Sequence, residues 1–348
     1  MIGELVPVRV DPITAAANFW KRFHELRRVR DQDLHPDDPI QPDADVEVRL
    51  KKPDPFVIDH YFEVSRDGQM IAWFYGESTR PTSPEYATNK HLFWTSGYVR
   101  RDHRRKGLAT RWMGVVAQLM REAGCTVVGL SAHQEPGHAF SKWLGAEPKL
   151  TDIESRLKLS DVDWAMVERW VLEGEQRSPG TRLEIYDGPL PEAMWADFST
   201  QRTTLLNTMP LEDLDLGDII VTPERLREWY ERVALTHEVP HEVLTREPDG
   251  VISGMTDTEW APYRPGLIYQ NFTGVLPSAR GRGIGKWIKA AMLLHLREVH
   301  PDAEWIATGN AQSNDPMLAI NRKLGFKPYR QSTEYQVSLE KLESRIAP

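Results

Sequence analysis

Alternating apolar and polar positions mark two hairpins in this chain. "HYFEVSRDG" and "MIAWFYGES" flank the turn Asp67–Gly68, and "HEVLTREPDG" and "VISGMTDTEW" flank Asp249–Gly250. An Asp-Gly pair between alternating runs predicts antiparallel strands joined by a tight turn. Further strands are predicted at "VEVRL", "HLFWTSGYV", Cys125 to Ala132, "GLIYQNFTGV" and "AEWIATGN". Helical spacing appears over residues 13–33, where Phe19, Trp20, Phe23 and Leu26 interleave with Lys21, Arg22, Arg27, Arg28 and Arg30, the latter reading as a solvated face. It returns from Leu108 to Ala123, before Leu144, over 190–207 and 222–236, from Ile284 to about Val299, and from Pro316 to Lys323. "SDVDWAMVERWVLEGEQRSPG" reads as a helix opening at a Ser or Asp cap and closing at Ser178, Pro179 and Gly180.

The order of these elements repeats. "SGYVRRDHRRKGLATRWMGVVAQLM" and "TGVLPSARGRGIGKWIKAAMLLHL" share an apolar run, a valine, a basic loop, glycine and a helix, with Val99 and Gly107 each 176 residues before Val275 and Gly283. "FSKWLGAEP" and "INRKLGFKP" pair Leu144 with Leu324, an offset of 180. Two copies of one module fit the length of 348 residues. The expected division is 1–160, a linker helix over 161–180, and 181–348.

Composition narrows the function classes. A formal net charge of -8 argues against a phosphate-backbone partner, so no nucleic acid is expected. No run approaches the length of a membrane span and the N-terminus lacks a secretory pattern, so no membrane partner and a cytoplasmic location are expected. The single cysteine, Cys125, excludes an intrachain disulfide and reads as a core residue. The acidic "PLEDLDLGD" (Glu212, Asp213, Asp215, Asp218) reads as a solvated loop. His91, His133 and His138 lack ligand spacing and His295 reads as a packing residue, so no metal is expected. The tryptophans, Trp94, Trp143, Trp287 and Trp305 among them, read as packing residues.

Basic charge is nevertheless concentrated at "SARGRGIGKW". Residues 271–290 carry Arg280, Arg282, Lys286 and Lys289 and no acid. A strand ending at Val275, a glycine-rich turn and a helix from about Gly283 put free N–H groups and arginines at a helix N-terminus, which is an anion seat. Gly281, Gly283 and Gly285 admit close approach of a phosphate to the backbone. The dinucleotide fingerprint fails because the glycines fall as GxGxG, and the nucleotide P-loop fails because Trp287 follows Gly285 and Lys286.

These residues resemble the GNAT superfamily of acyl-CoA-dependent N-acyltransferases, in a tandem arrangement. Its RxxGxG/A loop is met as Arg280, Gly283 and Gly285 and, more weakly, as Arg104, Gly107 and Ala109. "TGNAQSNDPMLAINRKLGF" is similar to the family's fifth strand, asparagine and following helix. The resemblance implies an α+β fold of two GNAT-like domains, each a mixed, largely antiparallel twisted sheet with helices on both faces. It implies acetyl-CoA as co-substrate, its pantetheine against the backbone of Gly274 and Val275 and its pyrophosphate on Arg280, Gly281, Arg282, Gly283, Ile284 and Gly285. Asn310 and Asn314 would face the pantetheine or the leaving sulfur, and Val99, Arg104, Arg105, Gly107 and Ala109 are the corresponding set in the first copy.

Where the family places Asn, Ala and Tyr, the second copy has Asn314, Met317 and Asn321, and the first has Gln134, Gly137 and Ser141. The customary general acid is therefore absent, leaving Asn321 or a water, or Tyr329 or Tyr269, to protonate the thiolate. Glu259 and Asp257 are the candidate bases. The second copy is expected to be catalytic and the first partly or wholly degenerate. The implied activity is transfer of acetyl from acetyl-CoA to a primary amine of a small molecule by direct attack, in a monomer or homodimer. The alternative is a non-catalytic acyl-CoA-binding or sensing protein.

Overall fold

The computed structural model describes residues 5–347. In chain order the first half contains β1 (Val8–Val10), α1 (Ala17–Leu34), α2 (Asp43–Lys51), β2 (Val57–Arg66), β3 (Gln69–Thr79), α3 (Tyr86–Asn89), β4 (Leu92–Val99), α4 (Leu108–Ala123), β5 (Val127–Ala132), α5 (Glu135–Trp143) and β6 (Glu147–Lys158). There follow α6 (Trp164–Arg177), β7 (Arg182–Asp187), α7 (Trp195–Leu206), α8 (Pro223–Leu235), β8 (Val239–Arg246), β9 (Ile252–Trp260) and β10 (Leu267–Val275). The chain closes with α9 (Ile284–Val299), β11 (Trp305–Ala311), α10 (Asp315–Leu324), β12 (Lys327–Ser338) and α11 (Leu339–Ile346). "VEVRL", expected as a strand, lies inside α2. Asp43 and Asp45 in its first turn and Arg49 and Lys51 in its last complement the helix dipole, and only Val46 is buried.

Two compact units form, and neither is a contiguous stretch of chain. The first comprises residues up to Thr151, Leu211–Asp218 and Ser332 onward; the second comprises Asp152–Pro210 and Ile219–Gln331. The first unit's strands run in the order β1, β2, β3, β4, β5 and then the Thr333–Ser338 part of β12. The second unit's order is β7, β8, β9, β10, β11 and then β6 from Asp152. Every pairing within a unit is antiparallel except β4 with β5 and β10 with β11. The last strand of each repeat thus joins the sheet of the other unit. Segment 161–180 contains α6, which packs in the second unit against α9; a Cβ on Gly174 would lie 2.3 Å from the Trp287 ring.

Both faces of each sheet are covered. In the first unit Phe19, Trp20, Phe23 and Val46 of α1 and α2 bury Met70, Trp73 and Tyr98. On the other face Leu108, Trp112, Val116 and Met120 of α4 bury Phe74, Phe93 and Val128, and Cys125 joins them. In the second unit Phe198, Leu205, Leu226 and Tyr230 cover Leu244, Met255 and Phe272. Val167 and Trp170 of α6 with Ile284, Ile288 and Leu293 of α9 cover Val243, Ile268 and Ile306. The acidic stretch 211–218 is docked on the first unit, unlike a free loop: Gly217 N–H donates to Asn89 Oδ1 and Asp215 N–H to Gln336 Oε1, each at 2.8 Å. Among the described residues no helix is long and apolar enough to cross a membrane.

Candidate functional site

Two neighbouring strands part in each unit. β4 and β5 pair in parallel from Leu92 with Val127 to Thr95 with Leu130, and β10 and β11 from Leu267 with Trp305 to Gln270 with Thr308. Beyond those points no register joins them, while β3 and β9 follow β4 and β10 to Val99 and Val275. One backbone edge of Ser96–Val99, and of Asn271–Val275, therefore faces a V-shaped gap, with no neighbouring strand to take its hydrogen-bonding groups there. In the first unit the Trp112 indole donates to Thr95 Oγ1 (2.9 Å) and stacks on Phe74 with centroids 5.2 Å apart. A Cβ on Gly97 would lie 2.4 Å from Phe74, so this packing requires glycine there.

The loop after each parted strand has the same build. Arg104 Nε donates to the Val99 carbonyl (3.0 Å) and Arg280 Nε to the Val275 carbonyl (3.2 Å), so the motif's first arginine ties the loop back to its strand. Arg104 also meets Asp33 at 2.6 Å. α4 and α9 each start after a left-handed glycine, Gly107 (φ 78°) and Gly283 (φ 87°), with no side-chain cap and no acid in the first turn. Arg105 and Gly281 are left-handed too, at φ 62° and 81°. Holding arginine in that conformation costs roughly 1 to 2 kcal/mol. The first N–H groups of both helices lack intrahelical acceptors and converge where an anion is stabilised. Ile284 is buried in the core beneath the loop, and Gly285, like Ala109, lies in the first helical turn. Arg282, expected on the pyrophosphate, instead meets Glu247 at 3.0 Å and donates to Thr181 Oγ1 (2.6 Å) and Ser178 Oγ (3.3 Å). A fixed carboxylate outcompetes solvent for its fork, so its charge anchors the loop. Arg105 and Lys106 are exposed cations of the first loop.

A cavity of about 460 Å³ occupies the first unit's gap, and Val99, Arg105, Gly107, Met113, Ala132 and Ser141 line it. The Ser141 hydroxyl is buried there with no hydrogen-bond partner. Larger polar residues hold the corresponding places in the second unit. Lys289 stands for Met113, its amine 2.5 Å from Gln270 Oε1, and Asn321 and Asn310 stand for Ser141 and Ala132, joined at 2.7 Å. Burial pushes the Lys289 amine down to about 7. Asn310 and Asn321 are thus brought together, whereas the Asn314 side chain accepts from Met317 N–H as the cap of α10. Gln134 donates to the Asp33 carbonyl (2.9 Å). Gly274 is needed where the Phe272 ring lies 2.4 Å from its absent Cβ.

Glu259 lies on β9, two strands from Asn310, and meets Arg264 at 2.8 Å. Burial, with repulsion from Glu238, pushes its carboxyl up to about 7. Asp257 is committed to the buried Arg202 (3.1 Å), which also faces Glu242 at 3.6 Å. Tyr329 carries Arg156 3.6 Å above its ring and Tyr269 carries Arg264 at 4.5 Å, so both hydroxyl-bearing rings are cation platforms. The sequence reading overlooked Glu77. Ala72 pairs with Val99 as Gly254 pairs with Val275, and five residues on from each stand Glu77 and Glu259. The Tyr75 hydroxyl stands within hydrogen-bond distance of both Asp59 Oδ1 (2.8 Å) and the Glu77 carboxyl, and its one proton serves one of them. Burial, together with Asp59 and Asp54, raises the Glu77 carboxyl above its ordinary range. Aligning the two hairpins would have found this residue.

Residues 20–146 match the model of the acetyltransferase (GNAT) family, over the copy whose loop is the weaker match to the motif. A tandem GNAT protein from the clavulanic acid biosynthesis pathway is similar in structure, with a TM-score of 0.71, 18% identity, and 97% of this chain and 98% of that one covered. A GCN5-related N-acetyltransferase from Sphaerobacter thermophilus follows at a TM-score of 0.64 and 14% identity, with 96% of each chain covered. A glucosamine N-acetyltransferase region of a fungal multi-domain β-N-acetylglucosaminidase gives a TM-score of 0.62 and 13% identity, covering 97% of this chain and 38% of that one. No curated protein matches by sequence.

Proposed function

We propose that the chain is a two-module member of the GNAT superfamily and that it transfers acetyl from acetyl-CoA to a primary amine of a small molecule in the gap of the first unit, a reading supported by the family match over residues 20–146. The observation that carries the choice of unit is the cavity, which opens between the uncapped start of α4 and the parted edges of β4 and β5. The N–H groups of Arg105 to Ala109 receive the pyrophosphate, with Arg105 adding a full charge. The free edge of Ser96–Val99 takes the pantetheine amides, and a backbone N–H of β4 faces the oxyanion as the amine attacks the thioester carbonyl. The C–N bond forms, the C–S bond breaks, and CoA leaves as thiol. Glu77, on the face of the sheet that α1 covers, takes a proton from the substrate ammonium so that the neutral amine attacks; burial raises its affinity for protons, the direction a general base needs. The Ser141 hydroxyl donates a hydrogen bond to the leaving thiolate, which takes its proton from the nitrogen of the tetrahedral adduct.

A second reading keeps the transfer in the second unit, and one observation favours it: Glu259, with a carboxyl at about 7, stands at the matching place. Bulk at the two loop glycines separates the readings. Gly107→Trp should abolish acetyl transfer to amines found in a mass-spectrometric screen, and Gly283→Trp should retain at least about a tenth of it, since only the first blocks the proposed cofactor seat. Gly107→Ala and Gly283→Ala control for left-handed strain, which costs each roughly 1 to 2 kcal/mol without the bulk. The reverse pattern moves the site to the second unit, where the rate should titrate near 7 and Glu259→Gln should flatten it. A thermal shift with acetyl-CoA but no turnover on any amine would leave a binding module, and no shift at millimolar acetyl-CoA would overturn the coenzyme reading altogether.

A further inference from the structure

A second cluster lies at the opposite end of α9 from its loop. Asp187 and His241 are cross-strand partners at the end of β7 and the start of β8, and His295 reaches them from α9. One carboxylate oxygen, Asp187 Oδ1, lies 2.6 Å from His241 Nδ1 and 2.6 Å from His295 Nε2. One potential ligand atom from each residue lies within 4.8 Å of the others. Behind them His241 Nε2 is 2.8 Å from His300 Nε2, and His300 lies flat on Trp260 with centroids 4.6 Å apart. His241 is buried, while Asp187 is about half exposed.

We propose that Asp187, His241 and His295 hold a divalent first-row transition ion, zinc foremost, with His300 as the outer partner of His241. Two imidazoles and one carboxylate suit such an ion and not calcium or magnesium, which take oxygen ligands. A ligating histidine characteristically donates its other ring N–H to a fixed acceptor. His241 binding through Nδ1 would donate from Nε2 to His300 Nε2. Each ring then stays neutral, its proton moving to the nitrogen away from the ion. Ligand atoms about a tetrahedral zinc stand roughly 3.3 Å apart, so the present 2.6 Å separations must widen by a fraction of an ångström. Asp187, half exposed at a strand end, has room to move and leaves a fourth position to water. The ion would clip the edge strand and β8 to the last turns of α9, which makes it structural and independent of which unit carries the transfer.

The test uses the full chain. Purified protein is loaded with zinc alone, dialysed and analysed for metal, and zinc affinity is measured by calorimetry for the wild type, Asp187→Ala and His295→Ala. Both replaced side chains are partly exposed, and circular dichroism verifies that each variant is folded. About one ion per chain is expected, with affinity falling roughly a hundredfold or more in each variant. The wild type alone should gain melting temperature with zinc and lose it again with chelator, and cobalt should give the intense visible absorption of a four-coordinate site. Wild-type protein retaining no zinc would overturn the proposal, as would equal retention by both variants, which would point to other histidines.

Discussion

Ser141 isolates the chemistry of the site at a single atom. A buried hydroxyl without a partner costs on the order of 1 to 3 kcal/mol, and the Ser141 hydroxyl has none. Such a group is retained at a loss in stability unless a ligand completes it. Ser141→Ala should therefore leave the melting temperature unchanged or slightly raised while lowering kcat for acetyl transfer by about tenfold, the magnitude of one lost hydrogen bond to the leaving group. A structural serine would behave oppositely, losing stability and keeping kcat. The place of Ser141 was legible in the sequence as the position where the family has tyrosine. Its role was not, because whether a hydroxyl finds a partner depends on distant residues. Glu77 was hidden for a related reason: its proton affinity comes from Asp59, Asp54 and burial, none of which is adjacent in sequence.

Among the elements, the loops and the helices after them were the most legible, because glycine at a required left-handed position and a 16-residue apolar stripe are local signals. What differs between the two gaps was not, since it turns on contacts between helix and sheet. Lys289 illustrates it. In the sequence it adds to the basic charge of "GRGIGKWIKA", yet it points into the core of the second unit, where its amine donates to Gln270 Oε1 (2.5 Å) and Gln270 donates to Thr256 Oγ1 (2.9 Å). Burial lowers the amine from 10.5 to about 7, so between those values the unfolded chain binds a proton that the folded chain does not. Stability of this unit must then rise with pH across that window, by on the order of 3 to 5 kcal/mol over its whole width, and the cost of burying the charge is fully present below about 7. Lys289→Met, which installs the residue found at Met113, should remove that dependence. Urea midpoints at about pH 7 and about pH 9.5 check this: the wild type should gain far more than the variant, and equal gains would mean that the amine is charged and solvated in the folded state.

At the scale of the whole molecule the repeat was readable and the exchange of last strands was not. Offsets such as 176 and 180 reveal duplication, but a strand's partner is fixed by register and by which core its side chains complete, and either β5 or β11 presents a suitable edge to β6 or β12. The consequence concerns folding. Tyr335, Val337 and Leu342 are buried in the first unit's core although they lie at the far end of the chain, and Leu157 is buried in the second although it closes the first repeat. Burying each such side chain contributes roughly 1.5 to 3 kcal/mol, so losing three approaches the whole stability of a typical domain. Residues 1–160 expressed alone would also expose Val127–Ala132 of β5 as an apolar edge strand, which favours aggregation. We expect fragments 1–180 and 181–348 to be insoluble or molten when made separately, and to form one soluble complex when co-expressed, because each carries the strand that the other's sheet lacks. Size-exclusion chromatography and calorimetry of the separate and co-expressed fragments decide the matter. A fragment 1–160 that unfolds cooperatively by itself would show that β12 is dispensable to the first unit and that the repeat, not the exchanged unit, is what folds.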